Sequence, residues 1–370
     1  MSFSSFLASI YRYIYIIFVA LITFACVRRY KTTAMRPSDN TRGELFLVLI
    51  MCLFIGFRPN SVWFVDMYAY NRFFQIMRGE FFEFNWDAEN KIFDNLEMWW
   101  ACKDVGARLF FLLMAVIYFL CTYIGIKRLF SNHALIAYIV FLGAFSTFSY
   151  GTNGIKAGAA ASIFIMALGY WDKLYICIPL MLVSWGFHHS MVMPIAAFFV
   201  CLFFKNSKWY YYGWFVCFLM ALFHISYFQS LFGGMTDDHG ARYLLDIKDS
   251  ADTRIGRFRP DFVLYSAIPV VIGYVMEIRR QMKLSKTYRT LIHFYTITNA
   301  IWMLCMYAQF SNRIAYLSWF VYPIVIIYPF LDVYNKDINK YRKLHKTVLY
   351  HLYFTLFMYF IYYGLFSLGT

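Results

Sequence analysis

The sequence predicts an all-α, polytopic transmembrane protein, and three observations carry that prediction. Of 370 residues, 61% are hydrophobic and only 15% are charged, where a soluble chain carries about 25% charged residues. The mean hydropathy is +0.54, and long apolar runs recur between short basic clusters, the pattern of successive membrane-crossing helices. The charge excess, +14 at neutral pH, is confined to alternate loops. Aromatic residues make up 23% of the chain, far too many for disorder or a linker. These features exclude a soluble enzyme, a nucleic-acid-binding protein and a disulfide scaffold.

Each span follows from an apolar run. The runs divide the chain into about twelve spans of ~14–23 residues: 6–27, 44–57, 109–126, 134–152, 155–171, 174–187, 190–204, 209–228, 262–276, 290–308, 314–333 and 347–367. Loops on one face then hold 20 basic residues, among them Arg28, Arg29, Lys127, Arg128, Arg279 and Arg280, against six acidic ones. The opposite loops hold 14 of each sign, so the whole excess lies on one side. Short loops rich in Lys and Arg stay cytoplasmic, which places this face inside and both termini outside. The basic balance thus reports topology, not a nucleic-acid partner. Arg12, within the first run, is expected to snorkel or to face protein. That run lacks a small-residue cleavage site before Arg28-Arg29-Tyr30-Lys31 and reads as a retained anchor. The segments 174–187 and 190–204 are short, and merging them would reverse half of the assignment.

On this reading 1–370 is a single integral membrane domain with two long outer loops, 58–108 and 229–261. In the first, Ile92, Phe93, Leu96, Trp99 and Trp100 recur at helical spacing, with Asp87, Glu89, Asp94 and Glu97 interleaved. That pattern predicts a helix lying in the outer interface with its aromatic face in lipid. All eight cysteines except Cys102 fall within spans, so no outer-loop pair is available for a disulfide, and no CxxC or metal spacing occurs. The inner loops are short, without a P-loop or a GxGxxG, so ATP-driven chemistry is not expected there. No internal repeat is visible.

Ionisable groups at membrane depth are costly and mark function. Four constellations stand out, all near the outer face. The first is Gly56-Phe57-Arg58-Pro59 at a span exit, followed by Asp66 and Tyr70. Arg58 either pairs with a phosphate in a bidentate fork or makes a membrane-edge salt bridge with Asp66. The second is Asn153-Gly154-Ile155-Lys156 before the small-residue run Ala157–Ser162, which allows close helix packing. Lys156 near a helix N-terminus favours an anion, or is simply an interfacial lysine. The third is Gly186-Phe187-His188-His189-Ser190. A helix over 174–187 is about 21 Å long against a hydrocarbon core of about 30 Å, which would sink the histidine pair below the outer surface. A neutral histidine there suits a general base; satisfaction by a neighbouring helix is the alternative. The fourth is the basic set Arg242, Lys248, Arg254, Arg257 and Arg259, with Arg313 further on. It fits a lipid-linked diphosphate, although interspersed aspartates also allow a solvated mixed-charge loop. Asp237-Asp238-His239 supplies too few ligands for a metal site, so none is expected.

These residues resemble the EpsG-like, Wzy-type bacterial polysaccharide polymerases of O-antigen, capsule or exopolysaccharide synthesis. That family shows an Arg followed by Gly-Thr-Asp-x-x-x-Tyr, matched here by Arg58 and Asp66-Met67-Tyr68-Ala69-Tyr70. Its Asn-Gly-Ile-Arg-Gln element resembles Asn153-Gly154-Ile155-Lys156-Ala157, its His-x-Ser element His188-His189-Ser190, and its late Asn-Arg-Ile-Ala-Tyr element Asn312-Arg313-Ile314-Ala315-Tyr316. Phe64-Val65 stands in place of Gly-Thr, Lys156 in place of Arg, and Ala157 in place of Gln.

The resemblance implies a GT-C-like helical fold and a substrate, polyprenyl (undecaprenyl) diphosphate-linked oligosaccharide at the outer leaflet of the bacterial inner membrane. The growing glycan is transferred from its lipid carrier to the incoming lipid-linked repeat unit, with no cofactor. A chain-length regulator and a flippase of the same pathway are the expected partners, besides the bilayer. The diphosphate departs as a stable anion and needs charge stabilisation, for which Arg58, Lys156, Arg242, Arg254, Arg257, Arg259 and Arg313 are the candidates. His188 is the first choice of base, Asp66 the second, with His189 beside them. Tyr68, Tyr70 and Tyr150 are placed to stack on sugars, and Asn153, Ser190 and Asn312 to orient them. A ligase using the same donor and a flippase for the same unit are the alternative readings; the gathering of polar groups near one face favours an enzyme over a transporter.

Overall fold

The computed structural model describes residues 3–32, 41–61, 64–225, 227, 258–308, 311–332 and 339–362. Among the described residues the regular structure is helical, without a strand. In chain order the helices are α1 (Phe3–Thr32), α2 (Thr41–Gly56), α3 (Val65–Ile76), α4 (Lys91–Cys102), α5 (Ala107–Phe130), α6 (Ala134–Leu142), α7 (Phe145–Thr152), α8 (Ile155–Gly169), α9 (Leu174–Phe187), α10 (Val192–Phe203) and α11 (Ser207–Leu222). There follow α12 (Pro260–Tyr274), α13 (Lys286–Leu304), α14 (Ser311–Trp319), α15 (Tyr322–Asp332) and α16 (Asn339–Tyr362). Four stretches among them are long and apolar enough to cross a membrane: Ile10–Arg29, Ala107–Leu142, Pro260–Arg279 and Ser311–Leu331. Shorter apolar helices occupy Ile155–Gly169, Leu174–Phe187 and His189–Phe203. The short segments 174–187 and 190–204 stay separate, because His188 adopts an extended conformation and ends α9.

The chain forms two compact units, one of Met1–His188 with Ile338–Thr370, the other of His189–Asp337. In the first, α5 and α8 cross most closely, and small residues make the crossing possible. A Cβ on Gly125 would stand 2.4 Å from the Ile165 carbonyl oxygen, so only glycine fits. Ala159, Ala160 and Ala161 are fully buried, as the small-residue run predicts. Two hydroxyls reinforce the layer: Ser162 Oγ donates to the Ile117 carbonyl at 3.3 Å, and Ser184 Oγ on α9 to that of Ala160 at 2.7 Å.

The expected continuous span 134–152 is instead broken at Gly143–Ala144 into α6 and α7. A helix end in an apolar interior strands backbone carbonyls, and these need partners. Here they have them: the Val140 carbonyl accepts from His351 Nε2 at 3.2 Å, that of Phe141 from Thr147 Oγ1 at 2.6 Å, and that of Leu142 from Tyr15 OH at 2.7 Å. Tyr15 comes from α1 and His351 from α16, so the two ends of the chain seal the break. The Ala107–Leu142 stretch is likewise interrupted, at Ser131, whose φ of 47° ends α5.

Basic groups of the first unit gather where α2 begins and α5 ends. Glu44 is 1% exposed and accepts from Lys127 Nζ and from Tyr123 OH, each at 2.9 Å. Arg128 lies over the Tyr170 ring at 4.6 Å.

The second unit is organised by buried polar side chains that its helices share. Asn299 on α13 accepts from Trp214 Nε1 at 2.8 Å and donates to Ser318 Oγ at 3.0 Å. Ser266 on α12 accepts from Trp319 Nε1 at 2.7 Å through its hydroxyl, and from Tyr295 OH at 2.9 Å through its carbonyl. Glu277, in a wide turn after α12, accepts from Ser207 Oγ at 2.7 Å and Tyr211 OH at 2.9 Å. His293 Nε2 stands 3.0 Å and Arg289 Nε 3.3 Å from the same carboxylate. All eight cysteines are free.

Candidate functional site

The end of the first unit opposite the Glu44–Lys127 pair collects four of the motif segments, those of Arg58, Tyr70, Lys156 and His188. Arg58, just past α2, is 3% exposed. Its Nη1 donates to the Ile55 carbonyl at 2.9 Å and its Nη2 to that of Thr152 at 3.0 Å, so it ties the end of α2 to the end of α7, beside Asn153. The guanidinium also lies over the Phe111 ring at 5.0 Å and near Phe64 at 5.8 Å. Burial draws its pKa down to about 10, against the pull of Tyr11 and Asp66, and it stays a cation at neutral pH. Two of its five N–H donors are thus spent on the protein's own backbone.

From Phe111 the cluster continues ring by ring. Tyr70 on α3 lies 6.3 Å from Phe111, 6.2 Å from Phe110 and 6.0 Å from Phe93. Phe93 lies 6.3 Å from Phe187, the residue before His188. Such offset and edge-on aromatic contacts hold elements at fixed spacing. Phe93 is fully buried: this ring of α4 faces protein, where the helical pattern points it to lipid. Ile92, on the same helix, meets α9 at Gly186, where a Cβ would come within 2.5 Å of its Cδ1. Glycine at 186 is what lets α4 lie against the end of α9.

Lys156, in the first turn of α8, reaches the same place. Its Nζ is 5.7 Å from the Phe93 ring centroid and 3.7 Å from Asp94 Oδ1. The other Asp94 oxygen accepts from the Asn90 backbone N–H at 3.1 Å. Glu97 follows one turn along α4. Burial pushes its carboxyl up to about 7, the pull of Lys156 opposes this, and the Asp94 charge adds to it. A carboxyl at that value is half-protonated at neutral pH and can take or give a proton.

The other expected site residues are placed as follows. Tyr68 is exposed, whereas Tyr150 is buried and packs beside Gly154 at the start of α8. Asn153 is half-buried and caps α7, its N–H donating to the Ser149 carbonyl at 2.9 Å. His188 closes α9, its N–H donating to the Ser184 carbonyl at 3.1 Å. In the second unit, His189 is half-buried and Ser190 buried in a short 3₁₀ turn. Arg259 is held by Asp261, Nη2 to Oδ2 at 2.6 Å and Nε to Oδ1 at 3.0 Å, and lies over Phe262 at 3.8 Å. Asn312 is half-buried and Arg313 exposed in the first turn of α14. Arg242, Lys248, Arg254 and Arg257, with Asp237-Asp238-His239, lie outside the described residues. Among the described residues no three His, Cys, Asp or Glu side chains form a metal-ligand group.

Of the motif segments, those of Arg58, Asp66–Tyr70, Asn153–Lys156 and His188 lie in the first unit, and those of Ser190 and Asn312-Arg313 in the second. The sequence profile of the EpsG family matches residues 45–368. The chain belongs to the EpsG family. The match covers every segment just described, from the end of α2 to α16, and with the apolar helices it makes this a membrane protein of a family of polysaccharide polymerases. Neither the curated proteins nor the solved structures include a match.

Phe93, Asp94 and Glu97 of α4, which meet Lys156 here, read in the sequence as parts of an interfacial helix and not as candidate site residues. The signal available was the pair of acids at a spacing of three, with Glu97 one turn beyond Phe93.

Proposed function

We propose that this EpsG-family protein polymerises a surface polysaccharide at the outer face of the bacterial inner membrane. It transfers the growing glycan from polyprenyl diphosphate onto the incoming polyprenyl-diphosphate-linked repeat unit. One observation supports the reading above the others: Arg58, the Asp66–Tyr70 segment, Lys156 and the Phe187-His188 segment, far apart in sequence, converge on Phe93 and Phe111. Their gathering at the end opposite the basic loops fits an outward-facing site.

In this reading the acceptor hydroxyl oxygen attacks the anomeric carbon of the donor glycan. The bond from that carbon to the diphosphate oxygen breaks, and the electron pair leaves with the diphosphate. The hydroxyl proton passes to His188, with Asp66 the second candidate, and the charge that develops on the leaving group is met by Lys156. Arg58 shapes the site by joining α2 to α7. Tyr68 offers a stacking face to a sugar. A flippase delivering the lipid-linked unit and a regulator of chain length are the partners such a reaction requires.

The test is deletion in the source organism, complementation with wild type or His188→Ala, and gel analysis of the surface polysaccharide. Polymerase action predicts loss of the ladder with survival of a single repeat, restored by wild type and not by the variant at equal protein level. Full-length chains accumulating on the lipid carrier would make the protein a ligase. Units trapped inside would make it a flippase.

A further inference from the structure

Between α3 and α4 the chain forms no helix, yet residues 80–90 are held in one shape. Asn95, 6% exposed on α4, is the clamp. Its Oδ1 accepts the Asn85 N–H at 2.7 Å, and its Nδ2 donates to the carbonyls of Asn85 at 3.0 Å and Lys91 at 2.7 Å. Asn85 Oδ1 in turn accepts the Asp87 N–H at 2.9 Å. This fastened loop turns its rings outward: Phe81 is 92% exposed, Trp86 74% and Phe84 42%. Phe84 and Trp86 stand 4.6 Å apart at 57°, so they form one surface. Glu80, Glu83, Asp87 and Glu89 lie between and beside the rings, with no lysine or arginine from residue 80 to 90.

The charge pattern selects the occupant. Aromatic rings alone would suit a membrane interface, but four carboxylates are repelled by an anionic lipid surface and by a diphosphate. A glycan satisfies both halves of the surface: the C–H faces of sugar rings stack on flat aromatics, and sugar hydroxyls donate to carboxylates. We infer that residues 80–87 form a glycan-docking platform, with Phe81 and Trp86 as stacking rings and Glu83 and Asp87 as hydroxyl acceptors. The inference rests on the polymerase reading for the identity of the glycan. The platform holds the saccharide of the growing chain and takes no part in bond making. Because Asn95 is on α4, the bound saccharide is tethered to the helix that carries Asp94 and Glu97.

The experiment uses the full chain in phosphatidylcholine nanodiscs and, as probe, lipid-free oligosaccharides released by mild acid from the source strain's own surface polysaccharide. Wild type is expected to bind them saturably, and Phe81→Ala/Trp86→Ala at least tenfold more weakly, with unchanged helix content. Restored to a deletion strain, the double variant should still build a ladder, of reduced modal length. Equal oligosaccharide affinity in both proteins overturns the platform. So does quenching of the Trp86 emission (wild type minus Trp86→Phe) by brominated lipid in place of oligosaccharide. If deletion leaves the polysaccharide ladder normal, the polymerase reading falls, and the nanodisc titration still decides the platform by itself.

Discussion

The two ends of the first unit each hold a lysine–carboxylate pair, and they are built differently. Lys127 and Glu44 are 2.9 Å apart, with Glu44 1% exposed and also bonded to Tyr123. Lys156 and Asp94 are 3.7 Å apart, 17% and 33% exposed, with Glu97 close enough to feel both charges. The first pair is short and closed, and its carboxylate is surrounded by donors, as a structural ion pair must be once desolvated. The second has slack in its distance and an open side. A closed pair resists rearrangement, whereas a loose one can exchange its partner for a ligand, and under the proposed function that difference separates scaffold from chemistry in this unit.

The comparison breaks most sharply if the closed pair is opened. Lys127→Met strands Glu44 in the interior, with an expected loss of about 3–5 kcal/mol read as a lowered unfolding midpoint in detergent; a loss below about 1 kcal/mol would show that Glu44 does not depend on the lysine. Lys156→Met should do the reverse. Stability should change by less than about 1 kcal/mol, while polymer formation per molecule falls by about 10²-fold or more; unchanged polymer yield would return Lys156 to an interfacial role. Gly186→Ala drives a methyl group towards Ile92 and should cost about 1–3 kcal/mol by overpacking, together with activity as α4 is displaced. Ile92→Ala in the same chain should recover both, and failure of that rescue would deny the α4–α9 contact. The smallest effect concerns Glu97. Its carboxyl is raised from 4.5 to about 7 in the folded chain, so the folded state holds the proton more tightly than the unfolded one. Stability attributable to this group is full below about pH 4.5 and is lost as pH rises through about 7. Glu97→Gln should flatten that slope in pH-dependent melts, and an identical slope would remove Glu97 as its source.

What the sequence made legible was what is local. The apolar runs become helices, and the run Ala157–Ser162 becomes the tight face of α8, because periodicity and residue size act within one segment. The fate of α4 was only half legible. Its amphipathic pattern predicts the helix, but periodicity does not say whether an apolar face meets lipid or protein, and the rings that bury Phe93 come from α3, α5 and α9. The break at Gly143–Ala144 was hidden for a related reason: its cost is met by Tyr15 and His351 from the far ends of the chain. Glu277 looked like one acid among inner-loop bases, and only the fold brings Ser207, Tyr211 and His293 to it. Arg58 was recognised by its motif, yet its engagement with two carbonyls depends on where α7 ends.

The eight free thiols have a practical consequence. Cys102 is buried, and the others sit within apolar helices, so a membrane-impermeant maleimide meets a quiet background on the native chain. A single cysteine placed at Phe81 or Trp86 then becomes a reporter of sidedness in intact cells, and its protection by added saccharide becomes a footprint. The chain can in this way be mapped by thiol labelling with all of its own cysteines left in place.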